Sequence, residues 1–193
     1  MAQRMPEYSE LPERSQVVHQ HLRAAGLTPL IHELPDSTRT AREAASALGC
    51  DVGAIASSLI FLADGEPLLV MTSGRHRVDT DILASTLGVS SMAMAPAARV
   101  RDVTAQAIGG VAPVGHPTPV RTVVDESLRD YPTIWAAAGT PHTVFALTYD
   151  ELLTLTNGTP VVVAEEYQES NRIVGLQDVA KVEPERPRLN RSH

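Results

Sequence analysis

The chain has 193 residues, of which 43% are hydrophobic and 4% aromatic, and it carries a formal charge of −7. That length supplies one well-buried core with little left for a second domain, and the shortage of aromatic rings argues against reading single-stranded nucleic acid by stacking. The negative charge opposes non-specific attraction to a phosphate backbone, so a nucleic-acid contact has to be local and DNA is not expected as a partner.

Residues 1–13 are expected as a flexible lead-in. MAQRMPEYSELPERSQ has no apolar signal core, and no segment approaches the roughly 20 apolar residues that span a bilayer, so the expectation is a cytoplasmic protein with no membrane partner. From Leu11 to Ala25, the apolar residues Val17, Val18, Leu22 and Ala25 fall at helical spacing, and Gly26 is placed to end the helix. PLIHEL reads as a short strand. In TRTAREAASALG, Thr40 and Glu43 have capping-box spacing, Ala44, Ala45 and Leu48 form an apolar stripe, and Gly49 stops the helix. Cys50 is the only cysteine, which excludes an intrachain disulfide and a cysteine-built zinc cluster. With no companion motif it is read as structural, and neither a metal nor a cofactor is expected.

IASSLIFLADGEPLLVMTSG reads as a β-hairpin, with strands Ile55 to Ala63 and Leu68 to Thr72 around the turn signal Asp64-Gly65. Asp79 caps a helix through Leu87 that stops at Gly88, and SMAMA is a strand before a helix started by Pro96, AARVRDVTAQAI. VRTVVD, TIWAAAG and TVFALT are further strands. Thr148 and Glu151 open the helix YDELLTLTNG, which ends at Asn157-Gly158, and PVVVAEE is a last strand. Residues 166–193 form a C-terminal extension whose end, EPERPRLNRSH, joins charge to proline without an apolar face and is expected to be disordered. Hairpin-linked strands and the lack of a glycine-rich dinucleotide fingerprint favour a single compact α+β domain over residues 14–165, a mixed sheet flanked by helices.

The stretch AIGGVAPVGHPTP, Ala107 to Pro119, holds three glycines and three prolines. Glycines permit positive φ and close approach, and prolines fix φ, so this is a shaped loop of the kind that lines a site. Ser57, Ser58 and Ser73 lack the GxSxG elbow of a serine hydrolase.

Taken in order, IASSLIFLADGEPLLVMTSGRHRVDTDILASTLG, IGGVAPVGHP, TVVDESL, TIWAAAG and YDELLTLTNG resemble the YbaK family of aminoacyl-tRNA deacylases. The match runs from about Leu22 to Val163, and the same fold is the editing domain inserted in bacterial prolyl-tRNA synthetases. The resemblance implies a curved mixed sheet, a pocket for the aminoacylated 3′ end of tRNA, and hydrolysis of a mischarged ester. An aminoacyl-tRNA synthetase is a second partner that it allows. The family's GxxxP loop falls on Gly109, Gly110, Val111, Ala112 and Pro113, with Gly115 and His116 following in the same loop. Relatives typically carry a lysine where this chain has Ser57, and a serine can donate a hydrogen bond but supplies no charge. Candidates to compensate are Arg75, His76 and Arg77, which could meet tRNA phosphates, then His116, and His142, near where synthetase editing domains place a substrate-positioning histidine. Asp125 is read as the N-cap of ESLRDY or as a pocket carboxylate. Two functions stay open: a trans-editing deacylase with a catalytic set of Gly109, Gly110, Pro113 and Ser57, or a non-catalytic module that binds tRNA 3′ ends or aminoacyl groups.

Overall fold

The structure is a computed structural model that describes residues 4–36 and 38–165. Its sheet has eight strands: β1 (Ile31–Glu33), β2 (Ile55–Ala63), β3 (Glu66–Ser73), β4 (Met92–Met94), β5 (Arg121–Asp125), β6 (Ile134–Ala137), β7 (Thr143–Leu147) and β8 (Thr159–Val161). They run in the order β1-β7-β6-β2-β3-β5-β8, and β4 pairs with β2 off this path. Pairing is parallel for β2 with β6, β3 with β5 and β5 with β8, and antiparallel elsewhere. This is the mixed sheet of a single α+β domain.

Five α-helices cover the sheet: α1 (Glu13–Ala24), α2 (Ala41–Leu48), α3 (Thr80–Leu87), α4 (Ala97–Thr104) and α5 (Tyr149–Thr156). Alternation along the strands decides which helix meets which face. Ala56, Ile60, Leu69, Met71, Val124, Ala136 and Phe145 share one buried cluster with Val18 and Leu22 of α1 and Leu152 of α5. The opposite set packs elsewhere: Ile55 and Val144 against Ala44 and Ala45 of α2, and Phe61, Leu68, Val70 and Val123 against Leu83 of α3. The sheet is therefore sandwiched, with α1 and α5 on one side and α2 and α3 on the other.

The local signals mark the helix ends well. Thr40 and Thr148 each form the reciprocal capping box with Glu43 and Glu151, and the Asp79 carboxylate accepts from the Asp81 and Ile82 N–H groups at 2.9 and 3.0 Å. In the hairpin turn Asp64 and Gly65 both take positive φ (49° and 87°), as a two-residue turn between twisted strands requires. The Asp64 carboxylate also accepts from Ser90 and Ser91 N–H, tying the turn to the chain that enters β4.

PLIHEL and TIWAAAG form strands only over Ile31–Glu33 and Ile134–Ala137, and two further elements stop well short of the sequence reading. The helix expected through Ile108 ends at Thr104, because Ala105 takes φ +57° and the buried Thr104 hydroxyl turns back onto the Val100 carbonyl at 2.7 Å. The last strand ends at Val161 rather than running to Glu166, which lies outside the described residues. Its partner β5 stops at Asp125 and turns into a 3-10 segment, Glu126–Asp130, so the residues after Val161 have no strand to pair with. Within the expected lead-in, Arg4 bridges Glu33 of β1 and Leu11 is buried. The C-terminal extension lies outside the described residues, as do residues 1–3. No helix among the described residues is long and apolar enough to cross a membrane.

Candidate functional site

One edge of β2 pairs with β3 from Ala56 to Ala63 without a break. The other edge does not: it pairs with β6 only at Ile55 and Ala56, and with β4 only from Phe61 to Ala63. Ser57, Ser58 and Leu59 are left facing a gap in the sheet. Because Gly74 N–H donates to the Ile55 carbonyl, the odd-numbered residues of β2 direct their peptide groups toward β3, and alternation turns the Ser58 peptide groups toward the gap. An interrupted ladder leaves main-chain donors and acceptors available to something other than a strand.

The glycine-rich loop closes this gap. Ile108, Gly109 and Val111 join Ser57, Ser58 and Leu59 around a cavity of about 280 Å³, which Trp135 and Val144 also line. The segment leading into α2 supplies Thr38, Arg39 and Thr40 to its wall, and among the described residues Arg39 is the only ionisable side chain there. A second cavity of about 480 Å³ lies on the α2 and α3 side of the sheet, is lined by Thr72, His76 and Arg77, and shares Ser57 and Leu59 with the first. Ser57 is thus half-buried at the junction of two cavities, on the face that alternation assigns it, and not inside the packed core.

The loop's own hydrogen bonds sort its residues. Gly109 sits on the wall at φ +86°, a conformation that suits glycine. Gly110 donates its N–H to the Ala107 carbonyl at 2.9 Å, and Ala112 N–H is taken by the Gln106 side-chain oxygen at 2.6 Å. Val111 lines the cavity, while Ala112 and Pro113 are buried behind it. Ile108, Gly109 and Val111 are the loop positions whose N–H groups have no partner among the described residues and which stand on the wall. Gly110 serves the packing instead, since a Cβ there would come within 2.5 Å of the Thr140 carbonyl carbon and the loop therefore lies directly against the β6–β7 connection.

The remaining sequence candidates disperse. Gly115, at φ +83°, packs on Val17 and Val18 of α1. His116 donates Nε2–H to the Ala112 carbonyl at 2.8 Å, and burial pushes its pKa below the usual histidine value despite that bond, so its neutral ring braces the loop from behind. His142 lies in sequence between the wall residues Pro141 and Val144, but is itself off the wall. Its carbonyl accepts from Leu34 N–H at 2.7 Å, and its Nδ1 is buried without a partner among the described residues. Arg75 is held by Asp130 at 2.7 Å and lies over the Tyr131 ring. Arg77 reaches the second cavity. Asp125 does cap its 3-10 segment, accepting from Ser127 N–H at 3.0 Å, but it also receives Ser73 N–H at 3.0 Å and His76 Nδ1 at 2.9 Å. Burial pushes the Asp125 carboxyl up, the donated bonds outweigh it, and the group stays below the usual carboxylate range. Burial and Asp51 raise the Cys50 thiol, which keeps it a poor nucleophile. Among the described residues no three metal-ligating side chains cluster.

Sequence reasoning missed Arg39, Trp135 and the second cavity. Arg39 stands one residue before the Thr40 cap, a signal that fixes where α2 starts but not what its N-terminal end faces.

Residues 35–155 match the aminoacyl-tRNA editing domain model. The chain belongs to the aminoacyl-tRNA editing domain family. It is 40% identical, with a TM-score of 0.77, to a solved structure proposed as a trans-editing enzyme for prolyl-tRNA synthetase, covering 81% of this chain and 99% of that one. It is 29% identical over 123 residues to YwhH of Bacillus subtilis (strain 168), covering 63% of this chain and 78% of that protein. The proline–tRNA ligase of Lysinibacillus sphaericus (strain C3-41) is 28% identical over 95 residues, which is 49% of this chain but only 16% of the ligase. Within the matched family region lie the β2 gap, the glycine loop and both cavities' principal walls.

Proposed function

We propose that the chain is a trans-editing deacylase that hydrolyses the ester joining a mischarged amino acid to the 3′ end of its tRNA. The observation that carries the reading is the break in the β2 ladder, closed by a loop whose Gly109 and Val111 N–H groups are unengaged among the described residues. Ester hydrolysis passes through a tetrahedral oxyanion, and fixed backbone donors held at a water-poor site stabilise it by about 3–4 kcal/mol each. The aminoacyl side chain enters the cavity of about 280 Å³, whose aliphatic walls (Ile55, Leu59, Val111, Val144) select a small apolar group. The carbonyl oxygen meets the loop. The ribose and phosphates remain near Arg39 and the second cavity, where Arg77 is available to the polynucleotide.

A second reading has its own observation. No cationic side chain stands on β2 at the gap, because position 57 is serine, and a non-catalytic module that holds tRNA ends or aminoacyl groups needs the cavity without the chemistry. A panel of mischarged tRNAs carrying alanine, serine and cysteine, assayed for release of the amino acid beside a binding measurement, separates the two. Release above the uncatalysed rate from at least one of them is the expected result. Binding without release from any of them establishes the module instead. Association with a synthetase is tested by co-purification, and the site by exchange of the loop residues.

A further inference from the structure

The hydroxyls on the wall of the main cavity belong to Thr38, Thr40, Ser57 and Ser58, and their hydrogen bonds set them apart from one another. Thr40 Oγ1 donates to the Glu43 carboxylate at 3.0 Å and accepts Glu43 N–H at 3.2 Å, so the capping box of α2 uses it up. Ser58 Oγ donates to the Met71 sulfur at 3.1 Å. Ser57 is half-buried where the two cavities meet. Thr38 differs from all of these. It is only 6% exposed, its backbone N–H closes a turn onto the Pro35 carbonyl at 2.9 Å, and its Oγ1 has no partner among the described residues. A buried hydroxyl left unpaired is costly, and nearly all such groups in folded proteins find a partner. The cavity that Thr38 lines is where that partner enters.

The surroundings restrict what the partner is. Arg39, the next residue, is exposed, so a nucleotide held near its guanidinium stays outside, while the buried Thr38 meets what goes into the cavity. The carbonyl oxygen is taken by the loop donors. The α-ammonium is poorly suited, because a guanidinium on the same wall repels a second cation. That leaves the aminoacyl side chain. The aliphatic walls by themselves favour a small apolar group, and Thr38 is an exception set into them. A threonine hydroxyl both donates and accepts, and a second hydroxyl matches it.

We propose that Thr38 Oγ1 hydrogen-bonds a hydroxyl on the aminoacyl side chain, so that the substrate class is the hydroxyl-bearing amino acids, with serine the smallest, in preference to alanine. The inference rests on the deacylase reading above and narrows it. An alanine methyl group in the same space displaces water from Thr38 and returns no hydrogen bond, whereas a serine hydroxyl restores it. Cavity size alone separates the two poorly, since they differ by a single oxygen. Discrimination comes from whether a buried polar group on the wall stays paired.

The decisive measurement is kcat/KM for one tRNA charged with serine or with alanine, in the unaltered chain, Thr38→Val and Thr38→Ser. Valine keeps the branched shape and removes the hydrogen-bonding group; serine keeps the hydroxyl. Expected is a preference for the seryl ester of about tenfold or more, which Thr38→Val lowers by about tenfold through loss on that ester alone, with the alanyl ester within about twofold. Thr38→Ser retains the preference, and Thr38→Ala, which also lacks the hydroxyl, flattens it as valine does. Equal turnover of the two esters by the unaltered chain, or a preference for alanine, overturns the inference. So does an equal loss on both in Thr38→Val, because the hydroxyl then meets the ammonium or ribose that both substrates share. If the unaltered chain releases neither amino acid nor any other, the deacylase reading itself has failed, and binding of the amide analogues 3′-serylamino- and 3′-alanylamino-3′-deoxyadenosine tests the Thr38 contact separately. Tighter binding of the seryl analogue by about tenfold, erased in Thr38→Val, sustains that contact, and equal affinities overturn it.

Discussion

Replacing Gly110 by alanine places a Cβ 2.5 Å from the Thr140 carbonyl carbon, 2.6 Å from its Cα and 2.7 Å from Pro141 N. All three are backbone atoms, so no side-chain rotation relieves the contact, and one of the two segments has to move by several tenths of an ångström or more. The β6–β7 connection resists: the Thr140 and Thr143 hydroxyls bond at 2.7 Å, Thr143 bonds Ser15 of α1 at 2.9 Å, and Gly139, at φ +94°, is pressed against the Arg14 backbone. Overpacking of this kind costs about 1–3 kcal/mol, which for a domain of this size lowers Tm by roughly 2–12 °C. Because Pro141 and Gly109 are both on the cavity wall, the same shift spoils the site, and activity and stability fall together. Ile108→Ala is the control: that side chain is 60% exposed on the same wall, so its loss lowers activity with little change in Tm. Thermal melts beside deacylation rates decide the matter. A Gly110→Ala protein that melts within about 1 °C of the unaltered chain refutes the argument that the loop is locked to the β6–β7 connection.

Ser57→Lys is expected to fold, with Tm within about 4 °C of the unaltered chain, since the stem has two open cavities to lie in and the ammonium reaches water; a drop beyond roughly 10 °C means position 57 is sealed in the core. Its deacylation rate or its preference among mischarged tRNAs changes. Arg39→Gln removes the one charge on the main cavity's described wall and raises KM by about tenfold at low salt, with kcat retained, and an unchanged KM shows that the guanidinium does not meet the substrate. For His116 the folded-state pKa is depressed, so the unfolded chain binds more protons, and the stability this ring supports is lost as pH falls below the ordinary histidine value of about 6.5. His19 and His32 are depressed by burial as well, so the share of His116 is read as the flattening of the Tm-against-pH curve between about pH 6.5 and 5 in His116→Gln. An unflattened curve removes His116 from the account.

Most of the fold was legible because its signals are local. Capping boxes at Thr40 and Thr148, the Asp79 cap and the Asp64-Gly65 turn each depend on residues a few positions apart, and each forms as their chemistry directs. The resemblance also survives comparison, since all but the last three residues of its motifs fall within the matched family region. Where local reasoning overran, the missing information was distant. AARVRDVTAQAI keeps a helical pattern to its end, but the turn at Ala105 answers to what Gln106 must do six residues on, holding Ala112 N–H. PVVVAEE has strand composition throughout, yet only β5 could pair with it, and β5 ends at Asp125.

The site was partly legible, and for a different reason. The glycines and prolines of 107–119 announce a shaped loop, but not which of its N–H groups it keeps for itself. That division is made by Gln106 and Ala107, residues with no motif of their own. Likewise the cap signal at Asp125 was correct and incomplete: a short-range reading finds Ser127, while Ser73 and His76 lie about 50 positions upstream and arrive only when β3 lies beside β5. The gap in β2 is the extreme case. Its residues have ordinary strand character and pair fully on the hairpin side, and what makes them a site is the absence of a partner on the other edge, where pairing with β6 goes no further than Ala56 and pairing with β4 begins at Phe61. A substitution at Ser57 therefore alters the chemistry of the gap without removing it. The break in the ladder and the cavity beside it are set by strand pairings in which the Ser57 side chain takes no part, and so both persist when the residue at that position changes.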